Sequence, residues 1–277
     1  MLSEGIHSLV DTGNQGLLLY GIRRAKRPPN PQYPFGYGKE IYFWSFMVAI
    51  AIFAVGAGVS IYEGIDHILH PEHMSDPLIN YIVLGAALLF EGFSWTVAFR
   101  EFGKIKGKLS YIEAIRRGKD PSMFVVLFED SAAIVGLLVA LLGIGLAQMT
   151  GIPWFDGAAS IVIGLILAFT ALLLATETKS LLIGESASQE ILTGIRQIVS
   201  QDRGVVGVKE LLTLHMGPDF ILVTMAVDFR DALDAPSIEE TIARIDRAIK
   251  RDYPEVKKIF IEAESLNAPK HEANAHA

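Results

Sequence analysis

Apolar residues are concentrated in the first two thirds of the chain, where they form four long runs with few or no charges. A run of about 20 apolar residues is long enough to cross the hydrocarbon core of a membrane as a helix. The pattern therefore predicts membrane-spanning helices and excludes a soluble globular protein. The four predicted spans are residues 41–62, 77–99, 123–149 and 157–176.

A fifth span is predicted at residues 2–22, although polar side chains interrupt it. Its second half is apolar and ends immediately before Arg23. We interpret the polar positions as a stripe that faces other helices rather than lipid. These positions are Glu4, His7, Asp11, Asn14 and Gln15.

The charges of the connecting segments favour a fifth crossing. Residues 23–40 and 100–122 are rich in lysine and arginine, whereas the other two connections carry mainly acidic side chains. Basic connections belong on the cytoplasmic side, and they alternate correctly only if residues 2–22 cross the membrane. The carboxyl terminus is then cytoplasmic and Met1 lies outside with no signal peptide before it, so we expect that a preceding helix is missing. The compact loops favour a bacterial-type inner membrane.

The residues after the last span have the pattern of a small α+β domain with helices on one face of a sheet. Helical periodicity predicts helices at residues 189–200 and 237–251, the second with Ser237 as its N-cap. Alternating apolar positions predict strands at residues 207–214, 220–229 and 256–263.

The resulting domain organisation has three parts. We expect a transmembrane all-α domain at residues 1–183 and an α+β domain at residues 184–265. The polar, alanine-rich residues 266–277 have the composition of a disordered tail.

Composition and charge remove several functional classes. The chain has 277 residues, of which 51% are hydrophobic, and it has no cysteine. The absence of cysteine excludes disulfide scaffolds, thiolate metal sites and cysteine nucleophiles. The net charge of −7 argues against a nucleic-acid partner.

Ionisable residues inside two predicted spans are the strongest candidates for chemistry. His7 and Asp11 share one helical face because they are four residues apart, and Glu129 and Asp130 lie about two turns inside the predicted span at residues 123–149. Each such group costs roughly 2.5–3.5 kcal/mol near the bilayer centre. Carboxylates and a neutral imidazole suit a divalent cation, and metal entry would expel protons. The pattern predicts a site for cation/proton exchange.

Several polar residues have simpler interpretations. Glu4, Glu91, Asn14 and Gln15 are more typical of hydrogen bonds between helices than of metal ligands. Adjacent helical residues point about 100° apart, so Glu129 need not face the same site as Asp130. A further cluster could bind metal on the outer face but has the composition of a solvated loop: Asp66, His67, His70, Glu72 and His73.

Several separated strings of the sequence match a known family in order, and they begin at Ser3, Tyr33, Tyr62, Leu127 and Asp156. On these strings the sequence resembles the cation diffusion facilitator family of metal/proton antiporters. The resemblance covers nearly the whole chain, and within the family it is strongest to the branch that contains human zinc transporter nine. It implies a six-helix membrane domain, here without its first helix, followed by a ferredoxin-like or metallochaperone-like cytoplasmic domain, and a homodimer.

The resemblance also implies site residues. His7, Asp11 and Asp130 match the family's transport ligands, while Val126 occupies the position of the usual fourth ligand, a histidine. We therefore expect Glu129 to substitute for it. A family metal site in a loop is expected to be lost, because its histidine positions fall on Tyr33 and Tyr37. Histidine positions of a further family site in the tail domain fall on Lys209, Thr224, Thr241 and Glu262, which argues against metal binding there without deciding it.

These inferences lead to a prediction of function with two alternatives. The chain is expected to export a divalent metal in exchange for protons and to need no cofactor. Zinc is the preferred candidate for the metal, and manganese, iron and cobalt are the other candidates. A non-transporting membrane scaffold with a degenerate site is the first alternative. An intramembrane metalloenzyme is the second, although no His-Glu-x-x-His string or serine nucleophile motif is present.

Overall fold

The computed structural model describes residues 2–70, 77–106 and 119–265, with the backbone alone described at residues 2–11, 77, 105 and 123. The chain divides into two compact units after Ile183. The first unit is helical and the second is α+β. The predicted disordered tail at residues 266–277 lies outside the described residues.

Every predicted span forms a helix in the first unit. Among the described residues, four helices are long and apolar enough to cross a membrane, whereas the more polar α1 does not meet that criterion. That α1 crosses the membrane remains a prediction. The helices are α1 (Leu2–Ala25), α2 (Glu40–Leu69), α3 (Pro77–Lys106), α4 (Pro121–Thr150) and α5 (Trp154–Ile183).

Local signals fix both ends of α4, the helix that carries Glu129 and Asp130. Asp120 caps its start, because its side chain accepts a hydrogen bond from the Ser122 backbone N–H, and Pro121 occupies the first turn. Gly151 ends the helix in the left-handed conformation with φ of 68°. These caps extend the helix by one or two residues beyond each end of the predicted apolar span.

Helices α2 and α5 lie in direct backbone contact. A Cβ atom on Gly64 would lie 2.6 Å from the carbonyl oxygen of Gly157, and one on Gly157 would lie 2.7 Å from that of Gly64. Small residues allow this approach, which is typical of helices packed within a membrane. In the middle of α2, before Gly64, residues Ile52–Ala57 form a π-helical segment. The contact makes α2 and α5 a closely packed pair of helices.

The second unit contains a three-stranded sheet in the order β1-β2-β3. Strand β1 is antiparallel to β2, and β2 is parallel to β3. The alternating residues Ile221, Val223, Met225 and Val227 of β2 are buried against the two helices, as the sequence pattern predicted. The elements are α6 (Gln189–Ser200), β1 (Val205–Gly217), β2 (Phe220–Phe229), α7 (Ala235–Asp252) and β3 (Val256–Ala263).

The predicted N-cap of α7 is wrong. The helix begins two residues earlier, at Ala235, and Asp234 caps it by accepting a hydrogen bond from the Ser237 backbone N–H. Pro236 fits the first turn, where its missing N–H costs no hydrogen bond. Ser237 is therefore the donor of the cap rather than the acceptor.

An ion pair joins the end of α6 to α7 and gives the second unit a pH-dependent element. Arg244 donates two hydrogen bonds to Asp202, at 2.8 and 2.9 Å. These bonds hold the pKa of the Asp202 carboxyl below its usual value, against the opposing effect of burial. Because the folded-state pKa is lowered, the pair stabilises the fold above the unfolded-state pKa and loses its contribution as the pH falls through the folded-state pKa.

Arg244→Ala is expected to raise amide hydrogen exchange around residues 201–204 about threefold near pH 7, since half-exposed ion pairs contribute about 0.2–1 kcal/mol. As the pH falls through the lowered folded-state pKa of Asp202, the difference in exchange rate between the variant and the parent should disappear. Hydrogen-exchange mass spectrometry of the full chain measures this difference. A difference that persists unchanged at low pH would contradict the assignment.

Candidate metal-binding site in the helical unit

Asp130 is the most deeply buried carboxylate described in the helical unit. Its exposed fraction is 4%, although it lies in one of the most apolar helices of the chain. The Ser94 hydroxyl on α3 donates a hydrogen bond to Oδ2 of Asp130 at 2.8 Å. A charge buried at this depth is expensive unless a partner or a bound cation compensates it. Asp130 therefore has the burial expected of a functional group.

Glu129 faces a different neighbour. The side-chain amide of Asn14 on α1 donates a hydrogen bond to Oε1 of Glu129 at 2.8 Å, and Asn14 is only 2% exposed. The two carboxylates of α4 therefore contact α1 and α3 respectively, as the 100° rotation between adjacent helical residues requires. The prediction that Asn14 bonds between helices is confirmed.

His7 and Asp11 are in α1, but their side chains lie outside the described residues. Helical spacing assigns positions 7, 11 and 14 to one face of α1, and position 14 contacts α4 through Glu129. Of the four predicted ligands, the structure therefore describes the side chains of Glu129 and Asp130 alone. In the part of the chain whose side chains are described, no group of three or more histidine, cysteine or acidic residues is arranged to hold a metal.

Sequence reasoning missed Ser94 as a member of this region. A lone serine in an apolar helix gives no signal by itself, since serine is common in membrane helices. The neighbouring Trp95 contacts the same helix, because its indole N–H donates to the Ser131 hydroxyl at 2.9 Å. Only the register of α3 against α4 identifies Ser94 as the partner of Asp130.

The histidines of the outer cluster pair separately with carboxylates. Nδ1 of His67 lies 3.3 Å from Oδ2 of Asp156 on α5, and Nδ1 of His70 lies 3.0 Å from Oδ1 of Asp66. The first pair joins residues far apart in sequence, so the sequence pattern did not predict it. Glu72 and His73 lie outside the described residues.

Aromatic side chains occupy the loop between α1 and α2, where the family resemblance suggested the loss of a metal site. The rings of Tyr33 and Tyr37 pack with centroids 4.6 Å apart, and the Asn30 side chain donates to the Tyr37 hydroxyl at 2.7 Å. Arg24 lies over the Tyr37 ring at 5.5 Å. These contacts give the two tyrosines a structural role in ordering the loop.

The tail-domain positions that correspond to a second family site also have other contacts. Thr241 is 2% exposed and accepts a hydrogen bond from Arg244 on the helical side of the sheet. Lys209 pairs with Glu264. Thr224 and Glu262 line a groove on the face of the sheet opposite α6 and α7. The four positions are therefore divided between the two faces of the sheet.

Apolar helices around a buried carboxylate, followed by a small α+β unit, define a candidate membrane carrier of cations. A comparison with known families agrees with this class: the model of the cation efflux transmembrane domain matches residues 1–183. The chain belongs to the cation efflux family, in the branch similar to zinc transporter nine. It is a multi-pass membrane protein.

Individual relatives are similar over most of the chain. The protein is 36% identical to the mitochondrial proton-coupled zinc antiporter SLC30A9 of Xenopus laevis and 34% identical to that of Homo sapiens, in each case over 83% of this chain and 41% of the relative. It is 30% identical to metal tolerance protein C4 of Arabidopsis thaliana, over 83% of this chain and 50% of the relative. The chain thus spans half or less of the length of these relatives. Two of them are named as transporters and none as an enzyme.

Proposed function

We propose that this protein exports divalent metal cations, zinc first, from the cytoplasm in exchange for protons. The observation that carries the proposal is Asp130, a carboxylate with only 4% exposure inside an apolar helix. Membership of the cation efflux family supports metal efflux. The names of the vertebrate relatives support zinc as the cargo and protons as the counter-ion for those proteins.

Four residues would hold the cation in this proposal. Asp130 and Glu129 supply carboxylates from α4, and His7 and Asp11 supply an imidazole and a carboxylate from α1. The Asn14–Glu129 hydrogen bond supports this grouping, because it joins α4 to the α1 face on which spacing assigns positions 7 and 11. Glu129 then takes the role of the family's histidine ligand, whose position is occupied here by Val126.

Proton exchange follows from the chemistry of such a site. A buried carboxylate without a cation favours its protonated form, because burial and neighbouring negative charge both oppose ionisation. A metal ion requires deprotonated ligands, so its entry releases protons and its departure allows their return. Rocking of the helices would expose the site to each side in turn. Three carboxylates and one imidazole suit zinc, and the oxygen-rich set also suits manganese, iron or cobalt.

The orientation in the membrane is part of the proposal. The basic connecting segments favour a cytoplasmic carboxyl terminus and hence a cytoplasmic second unit. The names of the two vertebrate relatives assign those proteins to mitochondria and give no support to a bacterial inner membrane.

Reconstitution of the full chain into proteoliposomes tests the proposal. A zinc gradient should drive proton movement in the opposite direction, measured with a pH-sensitive dye inside the vesicles. Magnesium, which retains its water and requires octahedral oxygen coordination, should drive little flux and serves as the control. Correctly inserted protein that gives no flux with any of the four candidate metals would favour the scaffold alternative.

We further propose that the second unit forms a homodimer through the face of its sheet opposite α6 and α7. Leu212 and Phe260 lie in one cross-strand row on either side of Thr224, and they are 56% and 49% exposed. Lys258 and Glu262 flank Phe260 on the same face of β3. In a two-fold pair, Lys258 of one copy can oppose Glu262 of the other, so this face is complementary to itself in charge as well as apolar.

Phe260→Glu is expected to convert the detergent-solubilised dimer to a monomer at micromolar concentration, since it adds a charge to the centre of the proposed interface. Light scattering coupled to size-exclusion chromatography measures the mass. Val206→Glu is the matched control, because Val206 is 58% exposed at the irregular start of β1, away from the row. Equal dimer content in the Phe260→Glu variant would contradict this surface.

A further inference from the structure

We propose that Ser94 on α3 is a positioning residue of the transport site, whose hydroxyl holds the Asp130 carboxylate in its metal-binding orientation. This inference rests on the proposed function and adds a third helix to the site. Family resemblance and sequence pattern assigned ligands to α1 and α4 alone. The assignment of Ser94 comes from the packing of α3 against α4.

The geometry of the contact supports an orienting role. The Ser94 hydroxyl donates to Oδ2 of Asp130 at 2.8 Å, a normal length for a hydroxyl–carboxylate hydrogen bond. Asp130 is 4% exposed, so competition from bulk water for this bond is weak. The bond restricts rotation of the carboxylate about its own axis. The carboxylate is thereby held in one orientation before any cation arrives.

The bond leaves the carboxylate able to bind a metal ion. An ionised carboxylate has about four lone-pair positions on its two oxygens, and one hydroxyl donor occupies one of them. Hydrogen bonds to ligating carboxylates are a general feature of metal sites, and their removal typically costs about 10–100-fold in metal affinity. Ser94 thus has the chemistry of a group that acts on the metal through its ligand.

The alternative is that Ser94 only helps α3 pack on α4, and the chain offers a matched control for it. One residue further along both helices, Trp95 donates to the Ser131 hydroxyl at 2.9 Å. Trp95 also stacks on Phe99, and the two rings pack beside buried Leu127. The Trp95–Ser131 bond therefore joins the same helices at nearly the same depth without involving Asp130.

The test compares zinc-driven proton flux in Ser94→Ala, Ser94→Thr and Ser131→Ala with that of the parent, each as the full chain in proteoliposomes. Ser94→Ala is expected to raise the half-saturating zinc concentration about 10-fold, while the maximal flux stays within about twofold. Ser94→Thr keeps the hydroxyl and should restore the parent value. Ser131→Ala removes the bond from Trp95 and the Ser131 hydrogen bond to the Leu127 carbonyl, leaves the Ser94–Asp130 bond in place, and should also resemble the parent.

A split between half-saturation and maximal flux separates positioning from packing, because loss of packing lowers the amount of active protein and hence the maximal flux alone. If Ser94→Ala does not fold, the isosteric pair Ser94→Thr and Ser94→Val gives the same comparison, with the hydroxyl as their only polar difference. An unchanged half-saturation in Ser94→Ala, or an equal rise in Ser131→Ala, would overturn the inference. Asp130→Asn distinguishes the two proposals: if it transports like the parent, the metal site itself is wrong, whereas inactive Asp130→Asn with parent-like Ser94→Ala refutes only the role of Ser94.

Discussion

Asp130→Asn should reduce zinc-driven proton flux at least about 100-fold, to the level of vesicles without protein, since it removes the charge of a proposed ligand. The substitution conserves shape and leaves an oxygen that can accept the Ser94 hydrogen bond. Loss of flux would therefore reflect the missing negative charge rather than a broken contact between α3 and α4. Asp11→Asn on α1 should have an effect of similar size, because both carboxylates are assigned to one ion.

The control for these variants is Asp156→Asn. Asp156 lies in the first turn of α5, partly exposed beside His67, and the proposal gives it no part in transport. Its variant should retain most of the parent flux. Parent-like flux in Asp130→Asn would refute the site assignment, and parent-like flux in Asp11→Asn alone would remove Asp11 from the ligand set. Loss of flux in all three variants would indicate a general sensitivity to charge and would also count against a specific site.

Glu129→Gln should lower the flux at least about 10-fold if Glu129 is the fourth ligand, because glutamine cannot supply the negative charge that the metal and the exchanged protons require. Glutamine retains a side-chain oxygen in the position of Oε1, so the hydrogen bond from Asn14 can persist. The measurement is again zinc-driven proton flux, here with zinc-binding titrations on the solubilised protein.

Asn14→Ala supplies the comparison for Glu129→Gln, since it removes the interhelical bond and keeps the glutamate charge. If Glu129 is a ligand, Glu129→Gln should lower the zinc-driven proton flux more than Asn14→Ala does, and it should weaken zinc binding. If Glu129 only joins helices, the order reverses: Asn14→Ala lowers thermal stability, and Glu129→Gln transports like the parent.

The helical content of the chain was predictable because its signals are local. Apolar runs longer than about 20 residues require helices in a membrane, where each backbone group must find a partner within its own segment. Likewise, alternation along β2 determined which residues face α6 and α7. Boundaries were less predictable where a cap depends on the exact chain path, as at α7, where Asp234 rather than Ser237 accepts the first hydrogen bond.

The candidate site was only partly predictable. Ionisable residues in an apolar helix are visible in any sequence because their insertion is expensive, so Glu129 and Asp130 were identified from composition alone. Their different partners were not visible, because the contacts with Asn14 and Ser94 join residues 115 and 36 positions apart. The same limitation applied to the His67–Asp156 pair on α2 and α5.

The sequence by itself thus determined that the main apolar runs are helical, the α+β character of the second unit and the residues that carry charge into the apolar region. It did not determine the extent of the helices, since α2, α3 and α5 each continue seven residues beyond the end of the predicted span. Tertiary structure alone decided which helix each charge faces: Glu129 faces α1 and Asp130 faces α3. The physical reason is that burial and periodicity are properties of short segments, whereas the partner of a buried carboxylate depends on the rotation and register of helices packed against one another.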